Sequence, residues 1–276
     1  MEIKYATNPT DFKSYDTSRL RSEFHCPKLV KEGAVSLVYT HYDRFIFGTI
    51  VPTSEGLKLP TYDQLKSDYF LERRELGVIN IAGPGKITVD GEAYQVNNLD
   101  TLYIGKGKKE VIFESSDASN PAKFYLNSAP AHHEYPTTLG AKADVNKVEL
   151  GSQSTSNERI IYQCIHETGI QSCQLVMGIT ELKDGNVWNT FPAHLHDRRM
   201  EVYFYFDMSG DNLVMHFMGQ PQETRHIAVR NEEAVISPPW SIHSGAGTTN
   251  YKFVWGMAGE NKSFADMDSV PLTEVL

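Results

Sequence analysis

Residues 191–207 read FPAHLHDRRMEVYFYFD, with two histidines one residue apart and a glutamate five positions after the second, inside a run of aromatic and branched residues. Strand side chains alternate faces, so His194 and His196 point together, while Glu201, Tyr203 and Tyr205 form a second same-face set. The two sets differ in parity. A straight strand would put Glu201 opposite the histidines, so a bend at Asp197, Arg198 and Arg199 is expected to turn both sets into one cavity. His243, in ISPPWSIHSGAG after prolines that end a strand, offers a third imidazole. Three imidazoles and one carboxylate can close around a divalent ion such as zinc, iron, manganese or nickel. Any one of these histidines alone reads as a hydrogen-bonded surface residue; together they read as a site.

The elements that must position this set are short strands separated by turn residues. In the first half they include VSLVYTHY, RFIFGTIV, LGVINIAG, KITVDGEAYQV and EVIFES, with Asp90-Gly91 as a hairpin signal. The second half continues with RIIYQCI, CQLVMGITEL, MEVYFYF, NLVMHFM, HIAV, AVISP and YKFVWGMA. Between them GAKADVNKVELGSQSTSNE has no sustained apolar period, which places a boundary there and predicts domains at 1–145 and 146–276. Helical signals are few: TSRLRSEF from Thr17, and TYDQLKSDYF with Thr61 as N-cap. The expected fold class is all-β, two successive barrels or jelly rolls with a few short helices.

Composition narrows the partners. A chain of 276 residues with 40% hydrophobic content can bury real cores, and its net charge of −9 is the wrong sign for phosphate backbones. No nucleic-acid or membrane partner is expected, because no basic patch, leader-like start or run of eighteen apolar residues is present. A cytoplasmic protein acting on a small molecule is the expectation. Cys26, Cys164 and Cys173 are an odd set without a CxxC pair, so they suggest neither a disulfide framework nor a thiolate metal site.

HxH-x4-E followed by a late histidine resembles the metal motif of the cupin superfamily. Two positions depart from that pattern: the glycine after the glutamate is displaced to Gly210, and Pro238-Pro239-Trp240 stands where proline-x-glycine is usual. Longer segments, among them FLERRELGVINIAGPGKITVDG, VWNTFPAHLHDRRMEVYFYFDM and HFMGQPQETRHIAVRNEEAVISPPWSIHSGAGT, are similar to the 5-keto-4-deoxyuronate isomerase family of bacterial pectin breakdown. The resemblance implies a bicupin whose second barrel, 146–276, holds one Zn2+ per subunit on His194, His196, Glu201 and His243. It further implies a homohexamer, and a first barrel, 1–145, without a metal motif. The pair His132-His133 is the alternative metal site in that half.

The implied reaction converts 5-dehydro-4-deoxy-D-glucuronate to 3-deoxy-D-glycero-2,5-hexodiulosonate by ketol isomerisation. It requires proton removal from the hydroxyl-bearing carbon, stabilisation of an enediolate, and proton return to the neighbouring carbon. Glu223 and His226 are the candidate bases; Asp197, Tyr203 and Tyr205 are weaker choices. Arg199 and Arg225 are the candidate guanidinium partners of the substrate carboxylate, ahead of Arg73 and Arg74. Tyr203 and Trp240 are placed beside the substrate. An iron-dependent cupin dioxygenase and a non-catalytic sugar-acid-binding bicupin stay open as alternatives.

Overall fold

Strict alternation in GKITV buries every second residue of the strand Gly85–Val89. The chain then reverses through Asp90 and Gly91, both at positive φ (47° and 89°), which sets Val89 opposite Glu92. Two consecutive positive φ values are what a two-residue hairpin turn matched to the strand twist requires. In the computed structural model, which describes residues 1–276, this style of short strand and tight return is repeated throughout.

The chain divides into two compact units. The first comprises Met1–Ile3, Leu29–Asn146 and Cys164–Met177; the second comprises Lys4–Lys28, Lys147–Gln163 and Gly178–Leu276. In the first, a seven-stranded sheet runs in the order Glu2–Lys4, Ala34–Thr40, Ile46–Val51, Phe124–Pro130, Arg74–Asn80, Thr101–Ile104, Thr138–Gly140. A four-stranded sheet, Leu57–Lys58, Val111–Ser115, Gly85–Val89, Glu92–Val96, faces it. Leu76, Val78, Leu102 and Phe124 from one sheet meet Ile87, Val89 and Phe113 from the other in a single apolar core. This is an all-β barrel built from two facing sheets.

The second unit repeats the scheme. Its seven-stranded sheet runs Asn146–Leu150, Arg159–Ile165, Val176–Leu182, Lys252–Gly259, Arg199–Phe206, Glu233–Ser237, His25–Cys26, and its four-stranded sheet runs Trp188–Asn189, Ile242–Gly247, Val214–Gln220, Glu223–Val229. A two-residue ladder joins His194–Leu195 to Asp268–Ser269.

The helix Thr17–Phe24 forms where expected, capped by the Asp16 carboxylate, which accepts from the Arg19 N–H at 2.8 Å. It buries Leu20 and Phe24. The second expected helix does not form. Asp63–Leu65 and Phe70–Glu72 are separate single turns, with Lys66 left-handed between them, and the Thr61 hydroxyl donates to Ser67 O instead of capping a helix. Phe70 and Leu71 are both drawn into the apolar core, and that burial outweighs the local helix preference. No helix is long and apolar enough to cross a membrane.

Candidate metal centre

Three neighbouring elements assemble the site. His194 lies on the short strand paired with Asp268–Ser269, and the chain then turns, the Arg199 N–H donating to His196 O at 3.0 Å. This is the bend that the parity of the sequence demands. Beyond it the strand Arg199–Phe206 sets Glu201 opposite Met257 on one side and Ser237 on the other. His243 comes from the other sheet, opposite Met218.

The side chains converge closely. His243 Nε2 lies 3.1 Å from His194 Nε2 and 2.9 Å from Glu201 Oε2, and His196 Nε2 lies 3.2 Å from the same oxygen. One nitrogen from each of the three imidazoles falls within 4.8 Å of the others. His196 Nδ1–H donates to Arg199 O at 2.9 Å, which orients the ring with Nε2 toward Glu201. Nε2 and a carboxylate oxygen 3.2 Å apart are held together by positive charge between them, from a proton or from a metal ion. The spacing suits a divalent ion, since ligands 2.0–2.1 Å from a tetrahedral centre stand roughly 3.3–3.4 Å apart. The donor set and its spacing therefore fit a metal ion.

Burial sets the protonation states. His194 is brought down to about 3, first by burial and then by the neighbouring His243, so it stays a neutral donor near pH 7. For Glu201 burial is the largest influence and pushes upward, but the hydrogen bonds and charges of His243 and His196 overcome it and hold the carboxyl well below its usual range. Tyr203 is driven far above the ordinary phenol value, by burial first and the Glu201 charge second, so its hydroxyl stays protonated; that oxygen is 2.9 Å from Thr190 Oγ1. Deeper in the barrel the Tyr205 hydroxyl lies 2.8 Å from His216 Nδ1, and burial brings His216 to about 3.

A cavity of about 420 Å³ opens onto this cluster. His194, His196, Glu201, Arg199 and Tyr203 line it, as do Arg159, Thr190 and Trp255. Other sequence candidates do not, among them Glu223, Arg225, His226, Trp240 and Asp197. Glu223 and Arg225 form an ion pair at 2.6 Å, with Arg225 also donating to Lys13 O, and His226 on the same strand is exposed. His226 alternates with the buried Ile227 and Val229 and so faces outward, whereas Glu223 and Arg225 share their face but are tied to each other at the start of the strand. Trp240 packs edge-on against Phe12 at 5.1 Å and Phe24 at 6.3 Å, where it anchors the helical N-terminal segment. Asp197 is exposed at the bend.

Arg199 reaches the cavity but is committed elsewhere. Its two terminal nitrogens donate to Ser263 O at 2.7 Å and Asp266 O at 2.8 Å. Arg198 adds ion pairs to Asp266 and Asp268, and together they fasten the segment that carries Phe264 and Met267 to the cavity wall. Arg159 was not singled out by the sequence. It opens the RIIYQCI strand and shares a face with Ile161, but no ligand-type neighbour marks it.

Fold and site define a double-barrelled all-β protein of the cupin type with a convergent histidine and glutamate cluster in its second barrel. A sequence model of the KduI/IolB family matches residues 25–271, and the chain belongs to that family. It is 58% identical over 274 residues to a 4-deoxy-L-threo-5-hexosulose-uronate ketol-isomerase of Formosa agariphila, covering 99% of this chain and 98% of that one. It is 56% identical over 275 residues to the enzyme of the same name from Halalkalibacterium halodurans, covering both chains fully. Among solved structures, an IolB-like protein from Salmonella typhimurium superposes with a TM-score of 0.73 at 15% identity, over 90% of this chain and 96% of that one. The Bacillus subtilis oxalate decarboxylase, a protein with Mn(II) centres, superposes at 0.56 and 11% identity, over 82% and 71%.

Proposed function

We propose that this protein is a ketol-isomerase converting 5-dehydro-4-deoxy-D-glucuronate to 3-deoxy-D-glycero-2,5-hexodiulosonate in uronate breakdown. The observation that carries the reading is full-length identity above half to relatives named for this reaction, joined to a cavity with the polar groups the reaction needs. The metal is assigned as zinc, held by His194, His196, His243 and Glu201; when bound, it polarises the carbonyl and hydroxyl oxygens as a Lewis acid.

The chain's own residues account for the proton movements. Glu201 is the one carboxylate on the cavity wall, and it presents Oε2 to the imidazoles. Its second oxygen is assigned to take the proton from the hydroxyl-bearing carbon and return it to the former aldehyde carbon. The hydroxyl proton must also move between the two oxygens. Tyr203, held protonated and bonded to Thr190, is assigned that transfer. Water exclusion falls to Trp255, Phe264 and Met267 on the wall. Glu223 and His226 carry no part of this scheme.

The assembly implied by the resemblance is a homohexamer, and the implied setting is the cytoplasm and pectin degradation. Sedimentation of the purified protein tests the assembly. Turnover tests the reaction: proton NMR follows loss of the aldehyde on mixing with the uronate, before and after chelation and with zinc restored. Conversion lost on chelation and regained with zinc supports the isomerase. Oxygen consumption with iron would favour the cupin dioxygenase reading. Binding without conversion in fully metallated protein would favour a sugar-acid-binding bicupin.

A further inference from the structure

Arg159 is a cation without an anion. It stands at the start of the strand Arg159–Ile165 on the cavity wall, and its guanidinium has one protein acceptor, Asn157 O, 2.8 Å from Nη1. The charged or ionisable groups that act on it are the phenols Tyr203 and Tyr251, and no carboxylate is among them. A half-buried guanidinium with unused N–H groups carries a desolvation cost that an anion in the same cavity would offset. The wall's one carboxylate, Glu201, is turned toward His196 and His243. Arg199, the other arginine on the wall, already spends its terminal nitrogens on backbone carbonyls. The anion must therefore come from the ligand.

Position agrees with this. In the sheet order, Arg159–Ile165 is three strand steps from Arg199–Phe206, which carries Glu201. At about 4.8 Å per step the two backbones are roughly 14 Å apart along the sheet, and their side chains extend inward from both sides. A six-carbon chain of five C–C bonds of about 1.5 Å spans roughly 6–7 Å. An acyclic hexuronate can thus lie with its carbonyl end at the histidine cluster and its carboxylate at the far wall.

We propose that Arg159 is the specificity-determining anchor for the substrate carboxylate, binding it through a guanidinium fork opposite the metal cluster. The assignment of a uronate substrate rests on the function proposed above; the anchoring of a carboxylate does not. Arg159 fixes which end of an acyclic sugar acid enters toward the histidines, and it penalises neutral sugars of the same length. Burial lowers the guanidinium's affinity for its proton, yet it stays cationic across the neutral range.

The test pairs Arg159→Met and Arg159→Lys with acid and neutral ligands. Metal content and circular dichroism are measured first to show that each variant is folded and loaded. For the wild type, calorimetric binding of D-glucuronate is expected to exceed that of D-glucose. In R159M the affinity for glucuronate falls 10- to 100-fold and that for glucose changes less than 3-fold; R159K recovers part of the loss, because it keeps the charge without the planar fork. Turnover of the 5-keto-4-deoxyuronate is expected to fall in the same variants mainly through KM. Equal losses for acid and neutral ligands, or no loss of acid binding in a loaded R159M, would overturn the anchor. If the wild type binds glucuronate through Arg159 but does not convert the uronate, the anchor stands and the isomerase reading falls.

Discussion

The two barrels run the same strand order except at one sheet edge, and fill it differently. In each, one strand of the seven-stranded sheet opens on a buried arginine that donates to backbone carbonyls: Arg74 to Arg44 O and Ser128 O, Arg199 to Ser263 O and Asp266 O. Two and four residues later the first barrel places Leu76 and Val78, members of a solid aliphatic and aromatic core. At the same steps the second barrel places Glu201 and Tyr203, which line a cavity. The arginine belongs to the architecture, while the residues behind it decide whether the barrel is filled or hollow. A hollow barrel gives up dispersion contacts and apolar burial, and ligand binding is what the polar lining gains in return.

The sharpest break of this comparison is at the ligand set. His196→Ala is expected to lose bound zinc, measured by atomic absorption, and turnover by at least about 10³-fold. Glu201→Gln should keep part of the metal and lose turnover by about 10²–10⁴-fold, the range for a removed acid-base group. If E201Q turned over at the wild-type rate, the proton assignment would be lost.

The converse change belongs in the first barrel. Leu126→Ala, in the filled core, is expected to cost about 2–5 kcal/mol of stability in denaturant titration. The folded fraction should keep its metal content and kcat. A drop in metal stoichiometry at unchanged fold would show that the filled barrel does more than fold.

Acid separates the barrels by a smaller amount. In metal-free protein His194 and His216 sit near 3 in the folded chain, against about 6.5 when unfolded. The unfolded chain then binds more protons between those values, so stability is full above about pH 6.5 and declines as pH falls toward 3. Thermal unfolding of chelated protein at pH 7.5 and pH 5 should show a lower midpoint at pH 5. An unchanged midpoint would mean that these imidazoles are not buried neutral groups. The smallest effect is expected for Glu223→Gln and His226→Asn, which should leave kcat/KM within about twofold, since neither residue lines the cavity.

Much of the site was legible because its signal is local. HLH, the parity break at residues 197–199 and a glutamate on the next strand fall within eight residues, and His243 adds one distant member of a rare residue type. Strand-rich architecture was legible for the same reason, through alternation and the Asp90-Gly91 turn. Features that depend on distant packing were not. Trp240 reads as a wall residue until Phe12 and Phe24 are seen against it. For Glu223 the sequence leaves a catalytic role and a strand-edge salt bridge with Arg225 evenly matched, and the structure shows the salt bridge. Arg159 carries no local mark, because its meaning is the lack of a partner, which only the surrounding structure reveals.

The pairing of His25–Cys26 with the strand Glu233–Ser237 also constrains how the chain is made. The buried His25 ring meets Glu233 at 2.7 Å across 208 residues of sequence. At 5–20 residues per second a ribosome needs roughly 10–40 s to supply that partner. Through this interval the helix Thr17–Phe24 and its following strand have nothing to dock on, so the segment that emerges early must wait while the first barrel completes itself. The barrel with the histidine cluster is thereby closed by one of the earliest pieces of chain, and its assembly is an end-of-synthesis event.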